Sequence, residues 1–357
     1  MMPPLHEIAR RAASGDLEES SALPLVIGES TEGRPIRALR TGTGPISVSV
    51  IAGSHPDEPV GPATARALAE FLQSDDASAL REHATFSICG HVHPDGAARN
   101  AAWTKSGDWR LDSYLRHTRR DPPGDDREFN YPRSGEALDS SELHAENRAV
   151  AQFLAAGAPY DSHASLHGMA IAEGAWFLVD KQSSADSDHL FSALRRLTAA
   201  TGLGIHHWDR KGEKGFRAVA RGFSTTPTSV AMREHFLAQN DEATADLFRP
   251  SSMEFVASLG GEPRCWVSEV PLFAIDTSPK DHETPSVFLA AKDELSIAAF
   301  SLDTDRRDFD AWCAKYHPWP VPAAVASYLQ LAMIFLSAGL VEPDALDERL
   351  APRQQEP

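Results

Sequence analysis

The chain has 357 residues, 42% of them hydrophobic and 24% charged, the composition of an ordinary folded protein with enough apolar residues for a large core. A formal net charge of −17 argues against a nucleic acid or an anionic membrane surface as partner, since both select basic patches. Cys89, Cys265 and Cys313 are odd in number, widely spaced and without a CxxC. They therefore indicate neither a disulfide framework nor a cysteine metal site, and suit a reducing, cytoplasmic compartment.

The first residues, MMPPLHEIARRAASGDLEESS, lack the apolar core of a secretion signal and are too acidic for a transit peptide, so 1–24 reads as an N-terminal extension. Strand-like segments follow at 46–52, 85–89, 164–166, 175–179 and 265–267, and helix-like ones at 62–73, 140–156, 188–200 and 321–338. Their alternation predicts an α/β fold whose sheet is covered by helices on both faces, in a single catalytic domain over 25–345. The stretch RRDPPGDDREFNYPRSGE, rich in Pro, Gly and charge, reads as a long surface loop. The run from Ala323 to Val341 carries no charge, yet Ser327, Tyr328, Gln330 and Ser337 interrupt it and no basic cluster flanks it. A helix packed in the core is the expectation, and not a membrane span. Residues 346–357 are expected to form a frayed C-terminal tail.

Chemistry-bearing residues gather at the predicted strand ends. In GSHPDEPVG, His55 and Glu58 lie three apart where the strand 46–52 gives way to a helix, in the crevice where open α/β sheets bind ligands. An imidazole and a carboxylate suit Zn²⁺, although such a pair is more often a plain hydrogen-bonded pair. Strand 164–166 delivers His167 to its end, with Gly168 permitting close backbone approach, and strand 265–267 is followed by Glu269. His163 could compete with His167, but four residues along a strand separate them by about 13 Å, so only one can reach a given ion. His91, His93, His206 and His207 read as structural, hydrogen-bonded histidines.

In this order the motifs resemble the zinc carboxypeptidases, the carboxypeptidase A-like metallopeptidases. IGESTEGRPIRAL is similar to that family's entry segment, GSHPDEPVG to its HxxE motif, HPDGAARN to its Pro-Asp-Gly turn, and SLHG and VSEVP to the strands carrying its third zinc ligand and catalytic Glu. The resemblance implies a mixed, mostly parallel twisted sheet, one Zn²⁺ per chain held by His55, Glu58 and His167, and Glu269 as general acid/base. It also implies a small peptide or peptide-like amide as substrate; an N-acyl amino acid deacylase of the succinylglutamate desuccinylase and aspartoacylase type is the alternative, and a catalytically silent binding module of the same fold is another. Asp126 is a candidate to orient one imidazole, or else a solvated loop residue. For the arginine that steadies the oxyanion, Arg110, Arg119 and Arg120 are all placed plausibly, and Arg119 is preferred. The family's Asn-Arg pair, which grips a terminal carboxylate, is missing from DDREFNYP. Arg127 or Asn130 is expected to substitute for it, and no Tyr is available to cap the substrate between Tyr160 and Tyr316.

Overall fold

The computed structural model describes residues 3–15, 19–105, 109–181, 187–276 and 286–353. Its strands are β1 Leu25–Glu29, β2 Pro35–Thr41, β3 Ile46–Ala52, β4 Ala84–Cys89, β5 Ser162–Ala172, β6 Gly174–Val179, β7 Gly204–Ile205, β8 Ala218–Ala220, β9 Phe223–Thr225, β10 Arg264–Ala274 and β11 Trp319–Pro320. All join one sheet in the order β1-β2-β4-β3-β5-β10-β6-β9-β8, with β11 on β10 and β7 on β6. The four central strands, β4-β3-β5-β10, run parallel, while β2 and β6 join this block antiparallel on either side. The expected mixed sheet is thus found, with its parallel part at the centre, where burial on both faces suits near-continuous apolar strands.

Alternation along the strands sends side chains to two helical layers. Val48, Val50, Ala164 and Leu166 join the larger core with the helices Leu5–Ala13, Val60–Gln73, Asp188–Thr201 and Ala323–Ser337. Ile51 and Cys89 point the other way, towards the helices Ala145–Ala155 and Ser252–Ser258. Within the expected N-terminal extension, Leu5, Ile8, Ala9 and Ala12 are buried in the main core. Near the other end, Leu346 and Ala351 of the expected frayed tail 346–357 are buried as well, and residues 354–357 lie outside the described residues.

The helix Ala323–Ser337 is buried along nearly its whole length, and no described helix is long and apolar enough to cross a membrane. Three of the polar residues that interrupt its apolar run, Ser327, Gln330 and Ser337, each have a partner. Thr64 Oγ1 lies 2.9 Å from Ser327 Oγ and 2.7 Å from Gln330 Oε1, and Ser337 Oγ lies 3.1 Å from Ser162 Oγ. Buried polar groups cost little once paired, so this helix can cross the back of the sheet. The predicted helix over 140–156 begins later, at Ala145, because Asn130 Oδ1 accepts the backbone N–H of His144 (2.8 Å) and holds the preceding residues in the loop.

Candidate metal centre and active site

β3 stops at Ala52, paired with Leu166, and past that point β5 runs on beside β10 with no β3 partner on its other side. The chain leaves β3 through Gly53, whose positive φ of 71° favours glycine and where a Cβ would meet the His91 ring. The turn that follows, closed by Glu58 N–H to His55 O, carries both side chains over the exposed flank of β5. His167 is the first residue of β5 beyond its last partner on β3. His55 Nδ1 lies 3.0 Å from Glu58 Oε1 and 3.0 Å from His167 Nδ1, and His167 Nδ1 lies 2.9 Å from Glu58 Oε2. The structure therefore brings together the three residues expected as ligands, and among the described residues they are the group able to hold a metal ion. Two imidazole nitrogens and a carboxylate are the donor set of catalytic zinc sites, which leave a position for water or substrate.

His167 and Glu269 do not end their strands, as expected, but sit within them, paired with each other across the parallel β5–β10 ladder. Both strands run well past the short segments expected, β5 to Ala172 and β10 to Ala274. Gly168 stays in the strand where a Cβ would come within 2.9 Å of Val270 O, and its N–H donates to Glu58 Oε2 (3.1 Å). Pro271 lies just beyond Glu269↔Trp176, where β10 has parted from β6 and a missing N–H on that side is tolerated. From behind the sheet, Gln330 Nε2 donates to His167 O (3.2 Å) and lies 3.2 Å from Ser268 Oγ, fixing the backbone of the ligand strand.

The charges are concentrated. Burial and Arg120 both work against a charge on His55, but Glu58 and Asp126 outweigh them and raise its pKa to about 9. Burial likewise opposes charge on His167, and Glu58 and Glu128 more than compensate. Burial would raise Glu58, yet the two imidazoles hold it well below the usual carboxylate range. Glu269 behaves differently. Burial and the nearby Glu58 push it up to about 8, against the pull of His167, His55 and Arg120. A carboxyl poised near neutrality beside a metal-type cluster is suited to proton transfer.

Of the candidate arginines, Arg120 faces the cluster. Its Nη1 lies 3.3 Å from Glu58 Oε1 and 3.4 Å from Asp57 Oδ2. Arg119, the expected residue, turns outward onto the carbonyls of Arg116 and Thr118, and Arg110 pairs with Asp112. Asn100 sets this arrangement by bonding both the N–H and the C=O of Arg119 (2.8 Å each), so that the next side chain points inward. Arg127 and Asn130 do not reach the cluster. Arg127, 7% exposed, pairs with Glu146 at 3.5 Å, and Asn130 is occupied by the His144 N–H. Both serve the loop's own architecture.

Two carboxylates stand behind the imidazoles. Asp126 Oδ1, the candidate orienting residue, is 3.4 Å from His55 Nε2. Glu128 Oε2, which sequence reasoning passed over, is 3.2 Å from His167 Nε2. A loop without periodicity offers no signal for which of its acidic residues turns inward. His163 is buried with Nδ1 2.8 Å from Ser49 Oγ, and burial lowers its pKa to about 4, so it is a neutral structural residue apart from the cluster. His93 pairs with Asp121 (2.8 Å) and His206 with Glu173, as their structural reading required.

Fold and site together set a donor cluster of the metal-binding type at the centre of a mixed α/β sheet. The family model for zinc carboxypeptidases matches residues 18–201, just over half of the chain, and the chain belongs to that family. The match ends before Glu269, whose place is given by its register with His167. Among solved structures, a metallopeptidase candidate from Shewanella amazonensis SB2B is similar at 17% identity and TM-score 0.47, with 71% of this chain and 80% of that one covered. A second candidate, from Shewanella denitrificans OS217, is similar at 13% identity and TM-score 0.47 (95% and 89% covered). The metallo-carboxypeptidase of Pseudomonas aeruginosa in complex with (2-guanidinoethylmercapto)succinic acid is similar at 16% identity and TM-score 0.38 (93% and 68% covered). None of the curated proteins matches the chain.

Proposed function

We propose that the protein is a single-zinc carboxypeptidase-type exopeptidase acting on small peptides or peptide-like amides, with His55, Glu58 and His167 as the metal ligands. The observation that carries this reading is the convergence of three ligand atoms about 3.0 Å apart at the point where β3 ends beside β5. Bound there, Zn²⁺ would polarise the scissile carbonyl and lower the pKa of a water molecule. Glu269, one strand away from His167, then accepts the proton of the attacking water and returns it to the leaving nitrogen. The Arg120 guanidinium, 3.3 Å from Glu58 Oε1 and 3.4 Å from Asp57 Oδ2, would stabilise the developing oxyanion. The test is hydrolysis of a panel of blocked dipeptides by protein reconstituted with one equivalent of Zn²⁺, with chelator-treated protein as control. Metal-dependent release of the terminal residue is the expected result. Fully loaded protein that cleaves no amide in the panel would leave the reading without support.

A further inference from the structure

The loop 126–128 has a part in the site that neither the HxxE motif nor the strand ends reveal. Glu128 is 4% exposed, and both of its oxygens are engaged. Oε2 lies 3.2 Å from His167 Nε2, while Oε1 accepts from Ser252 Oγ (2.8 Å) and from Ser252 N–H (3.3 Å). We propose that Glu128 is the positioning residue for His167, locking the imidazole into the tautomer and ring orientation that leave Nδ1 free to bind metal. This rests on the metal-site reading above.

The physical argument begins with the imidazole. In its neutral form one ring nitrogen carries the proton and the other the lone pair, so whatever accepts from Nε2 decides whether Nδ1 can ligate. A carboxylate can only accept, so Glu128 requires the proton on Nε2. A second neighbour makes this necessary. Ser165 Oγ lies 2.9 Å from the same Nε2, and a hydroxyl can donate as readily as accept. Without Glu128, Ser165 could donate to Nε2, the proton would move to Nδ1, and the nitrogen facing His55 and Glu58 would be blocked. Glu128 settles a competition that Ser165 leaves open.

The loop's construction fits this role. Glu128 N–H donates to Asp126 Oδ1 (2.8 Å), the same oxygen that lies 3.4 Å from His55 Nε2, so two residues of one short loop, Asp126 and Glu128, back both imidazoles. Between them, Arg127 faces the other way onto Glu146 and its C=O accepts from Asn147 Nδ2 (2.8 Å). Arg249 N–H donates to Phe129 O (3.0 Å) and Tyr131 N–H to Pro250 O (3.0 Å). The buried arginine thus anchors a clip and does not reach for substrate.

The experiment measures the zinc dissociation constant of folded protein by chelator competition, together with the histidine tautomers in ¹⁵N-resolved spectra of the zinc-free protein, recorded at a pH above the raised His167 titration so that the ring is neutral. Glu128→Ala should weaken zinc binding by about 10- to 100-fold, the range found when partners of metal-bound histidines are removed. It should also move the His167 proton from Nε2 towards Nδ1. Glu128→Gln keeps an acceptor of the same shape but not its charge, so it should fall between wild type and Glu128→Ala, and Ser165→Ala in the Glu128→Ala background should restore part of the loss. A purely structural role would lower thermal stability in both Glu128 variants while leaving affinity and tautomer unchanged. Affinity within about threefold of wild type in both variants overturns the proposal, and Glu128→Gln alone decides it if Glu128→Ala does not fold. His167→Ala separates the two readings. A wild type that binds zinc and loses it in His167→Ala keeps the metal site whatever Glu128 does, whereas a wild type that binds none removes the metal site and this proposal together.

Discussion

Glu269 of β10 and His167 of β5 are direct partners across a parallel ladder, so a carboxyl with its pKa raised to about 8 stands one strand spacing from an imidazole of the metal-type cluster. Strand spacing in a sheet is about 4.8 Å and is not adjustable by side-chain motion. The pairing therefore fixes the backbone from which the Glu269 carboxyl reaches towards the cluster, as the proposed proton transfer requires. Glu269→Gln preserves shape and removes the titrating proton. The variant should retain its metal and its fold while kcat falls at least about 10²-fold, with KM nearly unchanged. Near wild-type turnover would place the proton transfer elsewhere. In the same assay Arg120→Ala should lose about 10²-fold in kcat as the oxyanion donor disappears, and Arg119→Ala less than about twofold.

Metal stoichiometry is the second test. One Zn²⁺ per chain is expected in purified protein by elemental analysis, and His55→Ala or His167→Ala should empty the site, because each removes one of three ligands. His163→Ala should keep the ion, since its ring is bonded to Ser49. Retention of full occupancy in His167→Ala, with loss in His163→Ala, would falsify the assignment.

Much of this arrangement was readable beforehand, for physical reasons that also mark where reading stops. Alternation at Ile46, Val48 and Val50 located β3 because one face of that strand meets the main core, and the HxxE turn follows directly from its end. Convergence of β3, β5 and β10 could be expected from the motifs, but not the fact that β5 and β10 run past the site. Gly168 and Pro271 look like breaks in a sequence, and only the neighbouring strands show that neither is one. Arg119 and Arg120 are adjacent in an irregular segment, where nothing periodic says which points inward. The distant Asn100 makes that choice through the backbone. The contact of Arg127 with Glu146 was hidden for a related reason. An Arg in a charged loop looks free until its buried partner, Glu146, is brought up from another helix.

The pH dependence of stability should separate metal-free from metal-loaded protein. In the absence of a cation, His55 titrates at about 9 against an ordinary 6.5, and Glu269 at about 8 against 4.5. Both folded-state values are raised, so both groups bind protons more tightly in the folded protein. Their contribution is fully present below the unfolded values and is lost as pH rises through the folded ones. Between pH 6.5 and 9 chelator-treated protein should therefore lose stability, on the order of one to a few kcal/mol. Zinc-loaded protein should show a smaller or reversed slope, because ligand deprotonation strengthens metal binding. Thermal unfolding midpoints at both pH values, with and without chelator, read this directly, and Glu269→Gln should flatten the metal-free slope. A metal-free midpoint that rises with pH contradicts the electrostatic account.

The last expectation concerns substrate choice and follows from where Arg127 points. A clamp for a terminal carboxylate needs a guanidinium open to the cleft, since binding comes from a charge-assisted pair of hydrogen bonds. Arg127 is 7% exposed, its Nη2 is 3.5 Å from Glu146 Oε2, and its Nη1 donates to the carbonyl of Asp125. It is already committed, and so is Asn130. The enzyme should therefore accept C-terminally amidated substrates nearly as well as free acids, with kcat/KM for matched pairs within about 10-fold, where loss of a buried charge partner would cost several kcal/mol. Arg127→Ala should leave that ratio alone. Its effect should appear in stability, because removing the guanidinium leaves the fully buried Glu146 with only its hydrogen bonds from Thr31, a loss of up to about 3 kcal/mol where a buried pair is broken from one side. Arg127→Ala with Glu146→Gln should recover part of the loss, since the amide needs no counter-charge. A preference above about 10³-fold for the free acid that disappears in Arg127→Ala would show that the arginine leaves Glu146 to grip the substrate, and the structural reading of Arg127 would have to be given up.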